Sequence, residues 1–231
     1  MSSLSLYRSR FAGIAVVFAS NFLGMCSLFI FFPLVLINMK QLGYSDAVVG
    51  MVAAAEWLGL AVATPYVSRW VEWLGLRRAF LLSNLLSITS FLVITFTPWP
   101  LLWALTTMVS GAAGCLRWIV AESTVAELAT EQYRGQTMGA FGTLISAAYM
   151  LGPAILGAIG TEGPQVMQAQ LTALALAALG LLLGIAMAPV APNPDKLSAH
   201  APRIGLSGLL DAMRVAPILV LSGLFGGFYD A

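Results

Sequence analysis

Charge is what this sequence has least of: only 9% of its 231 residues are Asp, Glu, Lys or Arg, and there is one histidine. So few polar groups cannot coat a core drawn from 59% hydrophobic residues at a mean hydropathy of +0.89, which excludes an ordinary soluble domain. The net charge of +1, with no basic patch interleaved with aromatics, leaves nucleic acid without an evident docking surface. The two cysteines, Cys26 and Cys115, both fall inside apolar runs. They form no disulfide framework and no metal-ligand spacing, so neither a metal nor another cofactor is expected. His200 stands apart from every apolar run, and no nucleophile and base pair up within those runs, which argues against an intramembrane enzyme.

What is present is a series of apolar runs, each near the roughly 20 residues that a helix needs to cross hydrocarbon. Six are complete: residues 11–37, 47–67, 79–97, 101–121, 138–160 and 171–189. The third and fourth are joined by TPWP, whose two prolines leave room for a turn only. The first run is too long for a cleavable leader and is followed by no small-residue cleavage site. A seventh begins near Val215 and is still apolar at Ala231. The sequence therefore predicts an all-helical integral membrane protein with a six-helix unit over 1–189, a linker over 190–214, and the start of a seventh span over 215–231. Within the linker, Leu206, Leu209, Leu210 and Met213 fall at helical spacing opposite Asp211 and Arg214, the pattern of a short interfacial helix.

Lysine and arginine set the expected orientation. Arg8 and Arg10 precede span one, Arg69, Arg77 and Arg78 follow span two, Arg134 follows span four, and Lys196, Arg203 and Arg214 follow span six, while the opposite loops offer only Lys40. By the positive-inside rule the N-terminus is cytoplasmic. Small residues on span one (Gly13, Ser20, Gly24, Ser27) and on span five (Gly142, Ser146, Pro153, Gly157, Gly160) are expected to be packing stripes.

The loop SRWVEWLGLRR, residues 68–78, concentrates charge between spans two and three. It resembles the signature between helices two and three of the major facilitator superfamily, with Glu72 at the acidic position, Gly75 at the second glycine and Arg77 or Arg78 at the closing basic position. Ser68, Trp73 and Leu76 depart from that signature. Three further segments extend the resemblance: RWIVAES (117–123) is similar to the end of helix four in a branch of small bacterial permeases, YRGQTMG (133–139) to the entry of helix five, and Gly152-Pro153 to a helix-five signature of exchangers and exporters. The family's usual helix-four arginine falls at Thr107.

The resemblance implies a bundle of two three-helix inverted repeats, a second six-helix bundle from the rest of the chain or from a partner, and a solute cavity between the bundles. It implies a multi-pass protein of the bacterial inner membrane that carries a small solute by alternating access, with proton coupling as one form of drive. The competing reading is a transporter-like membrane scaffold without transport. It draws on the loop's departures and the missing arginine.

Ionisable residues inside spans carry the site expectations, because a charge at mid-membrane costs about 2.5–3.5 kcal/mol on insertion scales. Arg117 shares a helical face with Trp103, Thr106, Ser110 and Gly114, and is expected to look into the cavity or to snorkel towards the headgroups. Glu122 shares the other face with Gly111, Cys115 and Trp118, taken as a packing face, and is expected to pair with Arg77 or Arg78. Glu56, mid-span two, is either a neutral structural carboxyl or a proton-coupling group. Asn21 and Tyr149 are further cavity candidates. Glu72, Gly75, Arg77, Arg78 and Glu122 are candidates for a conformational lock.

Overall fold

The computed structural model describes residues 3–187, with side chains from residue 11. The expected linker and seventh span lie outside the described residues. Among the described residues every regular element is helical: α1 (Ser3–Gln41), α2 (Asp46–Ala63), α3 (Val67–Leu74), α4 (Leu76–Phe96), α5 (Pro100–Leu128), α6 (Arg134–Ile159) and α7 (Pro164–Ile185). Six stretches are long and apolar enough to cross a membrane, α2 with α3 counting as one.

The breaks follow local chemistry. Pro100 and Pro164 each open a helix, where the missing N–H costs nothing. Thr64-Pro65-Tyr66 tightens the end of α2 into a 3-10 turn, after which Val67 and Val71 point inward and hold α3 against the bundle. The loop between spans two and three is thus helical up to Gly75, whose φ of 76° ends α3 and lets α4 start. Span four runs on to Leu128, since the residues past Ala121 still offer Thr124 and Val125 to the interior.

The helices pack with an internal symmetry. α2 packs on α5 as α6 packs on α1, and α4 packs on α5 as α7 packs on α1, while the pairs α1–α5 and α4–α7 map onto themselves when the first three spans are exchanged for the last three. That is the arrangement of two three-helix repeats. The ends of the bundle are stitched accordingly. At one end Gln41 Nε2 donates to the Thr161 carbonyl at 2.9 Å, Tyr44 Oη donates to the Pro98 carbonyl at 3.2 Å, and Lys40 pairs with Asp46. The loops after α1, α4 and α6 therefore share this Lys40 end. At the opposite end Arg77 Nη2 donates to the Ile185 carbonyl at 2.7 Å and Arg134 Nη2 to the Ala126 carbonyl at 3.2 Å, each satisfying carbonyls at or near a helix C-terminus.

Small residues on α1 do pack. Ser20 Oγ donates to the Gly180 carbonyl at 2.5 Å and Ser27 Oγ to the Ala173 carbonyl at 2.6 Å, fastening α1 to α7. The stripe on α6 behaves differently from expectation. Its packed face is Phe141, Ile145, Ala148, Gly152 and Leu156, and Gly142, Ser146, Pro153 and Gly157 are exposed. Gly152 explains the choice, because a Cβ there would collide with Phe29.

Candidate functional site

α2 and α5 touch backbone to backbone. A Cβ on Gly59 would meet the Met108 carbonyl, and a Cβ on Gly111 the carbonyl of Glu56, so the two glycines let the helices close on each other at the level of Glu56. Above that crossing the walls diverge into a cavity of about 460 Å³, within the range that holds small organic ligands. α1 contributes Phe29 and Phe32, α2 Glu56 and Trp57, α5 Cys115 and Trp118, and α6 Tyr149, whose ring lies 3.8 Å centre to centre from that of Phe29. Among the described residues, Glu56 is the one acidic or basic side chain in that wall. Thr64 Oγ1 and Cys115 Sγ, 3.5 Å apart, add a weak polar contact towards the Arg77 end.

Arg117 is not in the cavity wall. It is 2% exposed and turned towards α1, where a Cβ on Gly24 would lie only 3.1 Å from its Nη1. Its Nε and Nη2 meet no acceptor among the described residues, and Glu56 is the opposite charge acting on it across a gap too wide for a direct ion pair. Asn21, fully buried one turn before Gly24 on α1, also has both polar side-chain atoms unpaired. The expectation of Arg117 and Asn21 as cavity groups is therefore corrected: both lie inside the bundle.

The two faces of span four are mixed relative to expectation: Gly114, expected beside Arg117, lines the cavity, and Gly111 and Cys115 both pack among the helices and line it. Trp103, Ser110 and Arg117 are buried among the helices, whereas Gly111, Cys115 and Trp118 line the cavity. The reason is volume. The arginine fills the space that Gly24 vacates and the Glu56 backbone closes over Gly111, while Gly114 leaves open space beside the cavity.

Glu122 continues the cavity face to its open edge, where it is exposed and makes no ion pair among the described residues. The expected bond from Arg77 or Arg78 to Glu122 is absent, because Arg77 is engaged with the end of α7 and Arg78 is exposed. Glu72 is exposed as well, and Gly75 serves as a backbone turn. Sequence reasoning missed the aromatic wall of Phe29, Trp57 and Trp118. Gly59 and Gly111 were the available signal, since glycines on two neighbouring spans mark a close crossing beside which a cavity can open.

A family model described as Major Facilitator Superfamily matches residues 17–230. An uncharacterised MFS-type transporter of Yersinia pestis (strain Pestoides F) is 28% identical over 116 residues, which is 49% of this chain and 30% of the relative. Multidrug resistance protein 2 of Bacillus subtilis (strain 168) is 23% identical over 151 residues, 65% of this chain and 38% of the relative. The chain spans about a third of the length of these curated relatives.

Proposed function

The chain belongs to the major facilitator superfamily, and from that premise we propose that it forms the solute-binding half of a secondary transporter working by alternating access. The observation that carries this reading is a lone carboxyl, Glu56, in a wall otherwise made of aromatic, aliphatic and weakly polar side chains around about 460 Å³. Such a wall suits a flat apolar or amphipathic organic solute, and the carboxylate favours one bearing positive charge. The Bacillus subtilis relative is named a multidrug resistance protein, which is in keeping with an organic cargo. An anionic solute loses its support, since Arg117 is turned away from the cavity.

Glu56 also exchanges the coupling proton in this reading, binding solute as carboxylate and releasing it as carboxylic acid. Arg117 stands behind it as the countercharge that makes the ionised form tolerable in a membrane. The exposed small residues on α6, Gly142, Ser146, Pro153 and Gly157, supply a face on which a second six-helix bundle can close. With the arginines inside, the Arg77 end is cytoplasmic, the Lys40 end faces out, and the membrane is the bacterial inner membrane.

Proteoliposomes reconstituted with the protein test this with ethidium, a flat lipophilic cation. An imposed pH gradient is expected to drive ethidium movement in the wild type and not in Glu56→Gln. No gradient-driven movement in the wild type, with no ethidium binding, would favour the scaffold reading.

A further inference from the structure

Serine and threonine in membrane helices usually turn back to hydrogen-bond the carbonyl one turn earlier, and this chain follows the habit. Thr64, Thr89, Thr95, Thr106, Thr124 and Thr143 all do so, at 2.7–3.0 Å. Thr107 and Ser110 do not. Each is 3% exposed, and neither Thr107 Oγ1 nor Ser110 Oγ meets a hydrogen-bonding group among the described residues. Both line a small chamber among α1, α2, α4 and α5, separate from the large cavity but sharing one wall residue with hydrogen-bonding capacity, Glu56. The other chamber walls are apolar, among them Phe31, Phe91 and Ile94.

The chamber measures about 10 Å³. That lies at the threshold of about 10–15 Å³ at which a cavity accepts one water, and a buried water typically makes about three hydrogen bonds. Glu56, Thr107 and Ser110 supply three partners. A metal cation would require about six or more oxygens, which these walls do not offer. We propose that this chamber holds one structural water joining Glu56 to Thr107 and Ser110, and that this water is the partner that lets Glu56 change charge without moving the helices.

Its two orientations fit the two states of the carboxyl. When Glu56 is neutral, its O–H donates to the water oxygen and the water donates to the two hydroxyl oxygens. When Glu56 is ionised, the water turns to donate one hydrogen to the carboxylate and accepts one from a hydroxyl. To lose its proton the carboxyl O–H first turns from the chamber water to the cavity side and releases it there, so no proton crosses the chamber. The charged or titratable groups on the packed elements are Arg117 of α5, which acts on Glu56 from inside the bundle, and Cys115 of α5 and Tyr149 of α6 in the cavity wall. α1 and α4 present only apolar side chains to the chamber.

This inference rests on Glu56 as the proton-exchanging group, and two measurements on the purified protein in lipid nanodiscs separate it from that reading. The first is thermal unfolding of Thr107→Val, Ser110→Ala and the double variant. Removing partners of a bound water lowers the melting temperature, whereas deleting stranded hydroxyls from a dry chamber raises it. A rise in both single variants overturns the proposal. The second is infrared difference spectroscopy across a pH titration, with Glu56→Gln identifying the Glu56 carboxyl band. In Thr107→Val and Ser110→Ala the band is expected to move to higher frequency as hydrogen bonding is lost. An unmoved band overturns the water and leaves the reading of Glu56 intact, whereas a wild type with no Glu56 band at any pH overturns both. A band that shifts in the wild type when choline chloride is replaced by sodium chloride would put a cation in the chamber and reject the water.

Discussion

Gly111 lies against the backbone carbonyl of Glu56 so closely that a Cβ has no place between them. The relationship holds the acidic residue at a fixed height where α2 and α5 cross, and makes its position a property of the backbone rather than of a flexible loop. Gly59 against the Met108 carbonyl is the second point of the same contact. Both glycines are buried within helices.

Replacing either glycine by alanine is therefore expected to destabilise the protein, by about 1–3 kcal/mol as for other overpacked sites. The intrinsic helix preference runs the other way, since Gly→Ala in a helix with free space gains about 0.5–1 kcal/mol. Gly139 on α6 has open space around it and provides the control. Thermal unfolding should show Gly111→Ala and Gly59→Ala below the wild type and Gly139→Ala at or above it.

Arg77 and Glu122 are expected to behave as independent residues. Arg77→Ala removes the bond to the Ile185 carbonyl and should cost about 1 kcal/mol, near the middle of the range for a hydrogen bond because the residue is only partly buried. Glu122→Gln should leave the melting temperature unchanged. A double-mutant cycle in which the two substitutions interact would restore the ion pair that this structure lacks.

The spans, their order and the family were legible in the sequence because hydropathy and charge placement are one-dimensional signals. The faces of α5 were legible in part, since helical period groups Gly111 with Cys115 and Ser110 with Arg117 but puts Gly114, which lines the cavity, with the arginine. Which group met the cavity was not, because that depends on Gly24, 93 positions away, vacating space for an arginine. The partner of Arg77 was hidden for the same reason: the Ile185 carbonyl belongs to a helix end 108 positions further on. Backbone acceptors carry no residue-type signal.

Orientation has its own test. Lys40→Cys and Glu72→Cys place thiols at opposite ends of the bundle, beside exposed neighbours. In intact cells a membrane-impermeant maleimide is expected to label Cys at position 40 and to reach position 72 only after permeabilisation. The reverse pattern would invert the topology, and labelling of both without permeabilisation would break it.

The most direct measurement of the central claim is ethidium affinity as a function of pH, read from quenching of the cavity tryptophans Trp57 and Trp118, in the wild type and in Glu56→Gln. Raising the pH ionises the carboxyl and creates the charge that attracts the cation. Wild-type affinity should therefore rise with pH, while Glu56→Gln binds about tenfold more weakly at high pH, about 1.4 kcal/mol, with no pH dependence. Equal affinities with the same pH dependence in both proteins would contradict Glu56 as the charge-recognising, proton-exchanging group.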